Sequence, residues 1–169
     1  VGFWQLLKST GEQHGLEITE YVDERLHVVK STAAACRFLK YSYKELNDWT
    51  LVVAAYNKGV GGIQSRLKKQ HKNNYYELHL NKETATYVYK VIAMKELLSN
   101  HKSYGIHFLN KGFMRKMNTK KIVVDTTIND LKKFAADKKI DYIEFKELNP
   151  WLLKDKLPNE SRKKYIIEI

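Results

Sequence analysis

Carboxylates, imidazoles, one thiol and a glycine run are the groups in this chain with the most obvious chemistry, and spacing disposes of most of them. The six histidines, His14, His27, His71, His79, His101 and His107, form neither an H-x-x-x-H nor a Cys-His pattern, which argues against a metal site. The run "GVGG" follows the helical-looking "AAYNK" and contains no G-x-x-x-x-G-K-[ST] phosphate loop. No serine sits in a G-x-S-x-G elbow. The single cysteine, Cys36 in "STAAACRFL", reads as a small buried helix residue rather than a nucleophile. Of the carboxylates near the start, Glu12, Glu17, Asp23 and Glu24, the last two lie in "VDER", whose charges of both signs suit ion pairs that brace a fold. Three stretches carry more: "GFWQL" at Gly2 to Leu6, "AAYNKGVG" at Ala54 to Gly61, and "ETATYV" at Glu83 to Val88.

The elements that must position these stretches are helical. From Ser31 to Leu46 the residues Ala35, Phe38, Leu39, Ser42 and Leu46 recur at the spacing of one helix face, after a Ser-Thr pair suited to capping. Asp48 can cap a second helix in which Trp49, Val52, Ala55 and Tyr56 share a face. Glycines end it, and a short helix through Ile63, Leu67 and Lys68 follows. A long helix then opens on Asn81, with Glu83 in the turn where the helix dipole favours an anion and Val88, Ile92 and Leu97 or Leu98 inside. Beyond a basic, aperiodic stretch at 111–119 the texture changes. "KKIVVD" reads as a strand, "TTINDLKKFAADKKI" as a helix capped by Thr127, "DYIEFKEL" as a helix capped by Asp141 and stopped by Asn149 and Pro150, and "KKYIIEI" as a second strand.

In order and spacing the three stretches resemble the G-L-[MW]-Q, A-Y-N-x-G and E-T-x-x-Y-V elements of the lytic transglycosylases that share the goose-type lysozyme fold. The segment around "YVDERLHVVKST" is similar to the D-type membrane-bound branch of that family, with Phe3 where a Leu is usual and His27 where an Asp is usual. The resemblance implies non-hydrolytic cleavage of the β-1,4 bond between N-acetylmuramic acid and N-acetylglucosamine, leaving 1,6-anhydro ends. Such cleavage protonates a glycosidic oxygen while the sugar passes through an oxocarbenium-like state, so it calls for a carboxyl with a raised pKa. It further implies that one Glu acts as acid and then base, and that the substrate's acetamido group and 6-hydroxyl replace a second carboxylate and water. Carried over by position, Gln5, Tyr56, Asn57, Glu83 and Tyr87 are expected to contact sugar, with Tyr56 and Tyr87 supporting the catalytic carboxyl. The acid itself lies in an E-S element that the resemblance places before Val1, so the 169 residues alone are expected to be inactive.

The C-terminal β-α-α-β order and the phrase "FKELNPWLLKDKLP" resemble a LysM module, a small peptidoglycan-binding unit. The usual G-D-T before its first helix reads "VDTT" here, as in a degenerate copy kept for packing or weak wall attachment. The expected fold is therefore mainly α. It comprises a lysozyme-like all-helical domain over 1–110, incomplete at its N-terminus, a linker over 111–119, and a βααβ LysM-like module over 120–169.

The formal charge is +11, which points to an anionic partner. Residues 111–169 carry 15 basic and 9 acidic groups, against 15 and 10 in the longer first part. The denser positive charge of the module suits a wall bearing carboxylates, an attraction that salt screens. The expected partner is a peptidoglycan glycan strand, without cofactor, in the periplasm or at the outer membrane of a Gram-negative bacterium. An upstream lipid anchor is compatible with this, as is self-association through an apolar surface around Phe3, Trp4 and Leu7. Two other functional classes fit part of the sequence. A noncatalytic peptidoglycan-binding protein accounts for the same motifs; a basic nucleic-acid-binding protein rests on charge alone, since no RRM, KH or zinc-finger pattern is present.

Overall fold

The computed structural model describes residues 1–107 and 118–169. Most of the linker expected at 111–119 lies outside the described residues. Among those described there are seven α-helices and one two-stranded sheet, and they fall into two compact units. One comprises Val1–Phe38 with the C-terminal residues 118–169; the other starts at Leu39 and holds the described residues up to 107.

The first unit opens on a tight turn in which Gly2 and Gln5 both take positive φ, 68° and 49°. Gly2 is required here on two counts: its φ favours glycine, and a Cβ would stand 2.2 Å from the carbonyl oxygen of Arg25. Helix α1 (Lys8–Gln13) follows, then a bridge between Ile18 and Asp23 and a single 3-10 turn, Glu24–Leu26. Helix α2 (Val28–Leu46) starts three residues before the Ser-Thr pair expected to cap it. Ser31 lies inside the first turn, where its hydroxyl donates to the Val28 carbonyl. Val28 and Val29 are exposed and outside the apolar period, so the pattern gave no sign of that extra turn. Ala35 and Ser42 are buried as the period requires, but Cys36 is exposed, one position off that face, contrary to the expected burial.

The C-terminal module pairs β1 (Lys121–Val124) with β2 (Tyr165–Glu168) antiparallel, Lys121 opposite Glu168 and Val124 opposite Tyr165. Helix α6 (Leu131–Asp137) is capped by Asp130, whose carboxylate accepts from the amides of Lys132 and Lys133 at 2.8 and 3.0 Å. Thr127, the expected cap, instead accepts from the amide of Asn159 at 2.9 Å. Acidic Asp130 sits one residue before the first helical turn, where its carboxylate reaches two orphan amides; Thr127 is too far upstream. Asp141 caps α7 (Tyr142–Leu148) as expected. The core gathers Leu131, Phe145, Trp151, Leu152, Leu157 and Ile167, and Val22 from the N-terminal segment is buried among them. Buried Asn149 ties α7 to β2: its amide donates to the carbonyls of Phe145 and Glu168 and accepts from the Glu168 amide.

His27 sits 6.0 Å from the Trp151 ring in a tilted arrangement. Burial first, and then the charge of Lys30, push its imidazole below its ordinary pKa, against the pull of Glu24 and Glu168. The unfolded chain therefore binds the proton more readily than the folded one. This share of stability is present in full above the ordinary value of 6.5 and is lost as pH falls through the depressed value. A His27→Gln chain is expected to lose less stability between about pH 7 and about pH 5 than the parent, read as a smaller drop in urea midpoint. His14, lowered by burial and then Arg37, leaves a remaining dependence of the same sign.

In the second unit α3 (Trp49–Lys58) packs against α4 (Val60–Gln70) and α5 (Lys82–Ser99). Its core is Leu51, Val52, Ala54 and Ala55 from α3 with Val60, Ile63, Tyr75 and Val88. Trp49 does not join its expected face in that core: it is 57% exposed and stacks on Tyr43 with ring centroids 4.7 Å apart. Likewise, Ile92 on the C-terminal half of α5 is exposed, although it lies one turn from buried Val88; of the two alternatives at the end of that face, Leu97 is half-buried and Leu98 exposed. Among the described residues no helix is long and apolar enough to cross a membrane.

Candidate functional site

Four of the five expected site residues come together in the second unit because two helix ends meet there. Asp48 starts α3 by accepting from the Leu51 amide at 2.7 Å. Gly59 ends it at φ 81°. With Leu51, Val52, Ala54 and Ala55 facing the core, the last turn leaves Tyr56 and Asn57 half-buried at its edge. Asn81 opens α5 by accepting from the Thr84 amide at 3.2 Å, which places Glu83 in the first turn and Tyr87 one turn further along the same face.

The two ends are joined through Asn57. Its Nδ2 donates to Oε1 of Glu83 at 3.0 Å, and its Oδ1 accepts from the buried Thr84 hydroxyl at 2.8 Å. Both polar atoms of the amide thus have a partner of the right kind, which fixes the amide's orientation and holds the exposed Glu83 carboxylate in place. Tyr56 lies near Tyr87. Burial, and secondarily Tyr87, pushes the Tyr56 hydroxyl up to about 12, so it keeps its proton and can donate at neutral pH. Tyr87 is half-buried. Behind them Tyr75, in the 3-10 turn Tyr75–Glu77, donates to the Ala85 carbonyl at 2.6 Å and anchors the first turns of α5. Sequence spacing alone marks neither Thr84 nor Tyr75 as part of this cluster. Thr84 lies within the "ETATYV" stretch, whereas nothing local marks Tyr75.

Gln5 belongs to the first unit. It is exposed, and its side-chain amide donates to the Gly2 carbonyl at 2.6 Å. Its neighbours are firmly held. Trp4 donates from its indole to the Thr32 hydroxyl at 2.8 Å, and Arg25 donates from Nη1 to the Leu6 carbonyl at 3.1 Å. Arg25 is itself clamped in a two-pronged pair with Asp23, at 2.9 Å from Nε to Oδ1 and 2.7 Å from Nη2 to Oδ2. Burial opposes ionisation of Asp23, but the bonds and charge of Arg25 outweigh it and hold the carboxyl below its usual range. Glu24 is buried, paired with Lys30, and accepts from the Glu17 amide at 2.8 Å. "VDER" is thus a brace, with both its acids engaged by structural partners. Phe3 and Leu7 are 84% and 72% exposed, while Trp4 is half-buried.

Comparison with known proteins places families on this geometry. Residues 1–79 match the transglycosylase SLT domain, a span that includes Gln5, Tyr56 and Asn57 and stops short of Glu83 and Tyr87. Residues 120–169 match the soluble lytic transglycosylase C-terminal LysM-like domain. Over 110 residues the chain is 38% identical to the membrane-bound lytic murein transglycosylase D of Escherichia coli K12, and equally to that of Escherichia coli O6:H1; the match covers 62% of this chain. The chain spans only about a quarter of the length of these relatives, 24% in each case. With a helical site of Tyr, Asn and Glu in one unit and a βααβ module in the other, the chain carries an SLT transglycosylase domain followed by a C-terminal LysM-like domain, and is homologous to membrane-bound lytic murein transglycosylase D.

Proposed function

We propose that this chain supplies the sugar-contacting wall of a peptidoglycan lytic transglycosylase that works in the cell envelope, on the periplasmic side or at the outer membrane of a Gram-negative bacterium. Its reaction cuts the β-1,4 bond between N-acetylmuramic acid and N-acetylglucosamine and leaves 1,6-anhydro ends. The observation that carries this reading is the Asn57 bridge to Glu83 and Thr84, beside the protonated Tyr56 hydroxyl. It presents a fixed amide, a carboxylate and phenol hydroxyls together, a donor and acceptor set suited to sugar hydroxyls and acetamido groups.

In this reading Glu83 orients sugar, and Tyr56 and Tyr87 support the carboxyl that protonates the leaving oxygen. Glu24 is excluded from that acid role by its pairing with Lys30 and the Glu17 amide. Gln5 contributes a further sugar contact, and the positively charged module favours the acidic wall.

The test uses the full gene product on purified peptidoglycan, with soluble products identified by mass spectrometry. Anhydro-muropeptides are expected. A Tyr56→Phe variant is expected to release them about tenfold more slowly, the loss of one hydrogen bond of about 1.4 kcal/mol. Tight wall binding with no anhydro products would replace this reading by a noncatalytic peptidoglycan-binding protein. Reducing-end products without the anhydro bridge would make the enzyme a hydrolase instead.

A further inference from the structure

We infer that the C-terminal module is a positioning element for the turn that presents Gln5, built into the same unit as the N-terminal segment rather than hung beside it as an arm. The inference rests on the reading of Gln5 as a sugar contact. It follows from a chain of contacts that runs without a gap from the module to that turn.

The first link is a seam of backbone pairing. The Asp23 amide donates to the Trp151 carbonyl at 2.9 Å, and the Leu153 amide donates to the Tyr21 carbonyl at 2.8 Å. Residues 21–23 thus pair with residues 151–153 of the module around an isolated antiparallel bridge, and Val22 at its centre is buried in the module's own core. Side chains close the same seam. The Tyr165 hydroxyl donates to Glu17 at 2.8 Å, Lys163 pairs with the same carboxylate, and the Lys30 ammonium lies 5.6 Å from the centre of the Trp151 ring. A module with a complete core of its own would need no residue from a distant part of the chain; this one takes Val22.

The second link lies inside the N-terminal segment. The Glu24 amide donates to the Glu17 carbonyl at 3.0 Å, and the Glu17 amide donates to the Glu24 carboxylate. The segment seated on the module is therefore locked through the "VDER" brace, where Asp23 grips Arg25.

The third link reaches the turn. Arg25 holds the Leu6 carbonyl through Nη1, and its own carbonyl lies against Gly2 with no room for a side chain. Gln5 stands between these two fixed points, in a left-handed conformation that an untethered glutamine rarely keeps. The strain at Gln5 is held by Arg25, Arg25 by Asp23, and Asp23 by the module.

Glu17→Ala removes the Tyr165 and Lys163 contacts at the seam and touches none of the proposed sugar-binding residues; Tyr165→Phe is a milder second variant that keeps the ring in the core. In the full gene product both are expected to raise KM for soluble peptidoglycan fragments, by about fivefold for Glu17→Ala, with little change in kcat. In a Gln5→Ala background neither is expected to have a further effect, because the residue being positioned is gone. In the whole 169-residue chain, the amides of residues 2–6 are expected to exchange hydrogen faster in Glu17→Ala than in the parent. Lys133→Ala, on the module's exposed surface, is expected to leave them unchanged.

Additive effects of Glu17→Ala and Gln5→Ala, or an unaltered KM in both seam variants, would overturn the positioning role while leaving the site reading in place. A silent Gln5→Ala would overturn the assignment of Gln5 and the positioning role with it.

Discussion

Replacing Asn57 by alanine in the full gene product is expected to slow release of anhydro-muropeptides about 100-fold, the size of effect that follows when a reacting assembly is displaced by about 1 Å. Asn57 is the residue through which α3 and α5 agree on a geometry, donating to Glu83 and accepting from Thr84. Alanine removes both bonds at once. The buried Thr84 hydroxyl loses its acceptor, and the Glu83 carboxylate, exposed to solvent, is released to other rotamers. Initial rates measured by mass spectrometry, together with a circular dichroism spectrum showing that the helices persist, read the effect. Asn57→Asp makes the argument sharper. It keeps an acceptor for Thr84 but places a second carboxylate against Glu83, and is expected to remain well below the parent rate. A fully active Asn57→Ala would show that the bridge is scaffold for α5 alone and would remove the main support for the site.

The largest loss of stability is expected from Trp151→Ala, about 3–5 kcal/mol by the cost of deleting a large buried aromatic side chain. Trp151 is one of the largest fully buried side chains of the molecule. It stacks on Tyr165 at 5.8 Å, lies under Lys30, and its carbonyl takes the Asp23 amide. The cavity would open where the module meets the N-terminal segment. Urea unfolding followed by far-ultraviolet circular dichroism would show the shift in midpoint. Hydrogen exchange would show whether protection falls in β1 and β2 and in residues 17–24 together, as a shared core requires. Loss confined to the strands, with residues 17–24 still protected, would mean that the segment is held from elsewhere.

Local chemistry made a good part of this molecule legible. Asp48, Asn81 and Asp141 each stand one residue before a helix and do accept an amide of its first turn, because a short acceptor beside orphan N–H groups needs no tertiary information. The two terminal strands and the helices between them followed from β-branched runs set against capping residues. The failures share a cause. Thr127 met the rule for a cap but lost to Asp130, which lies closer to the first turn. Cys36, Trp49 and Ile92 look apolar enough to bury, yet periodicity records a face and not what covers it. The site divided similarly: Tyr56, Asn57, Glu83 and Tyr87 were visible as motif residues, but the bond from Thr84 to Asn57 crosses 27 positions. The seating of Val22 in the module's core was beyond any local signal, since no spacing rule connects residue 22 to residue 152.

That last pairing bears on how the chain reaches its native state. The contacts between Glu17 and Tyr165 span 148 positions, and loop closure over such a distance must be met before the contacts can reward it. During synthesis from the N-terminus, Val22 and its neighbours emerge long before the residues that will cover them. The N-terminal segment waits with apolar surface exposed, a state that invites aggregation and holdase binding. Folding of the first unit is thereby timed by its last strand: hydrogen-exchange pulses during refolding should find residues 17–24 protected no earlier than β2.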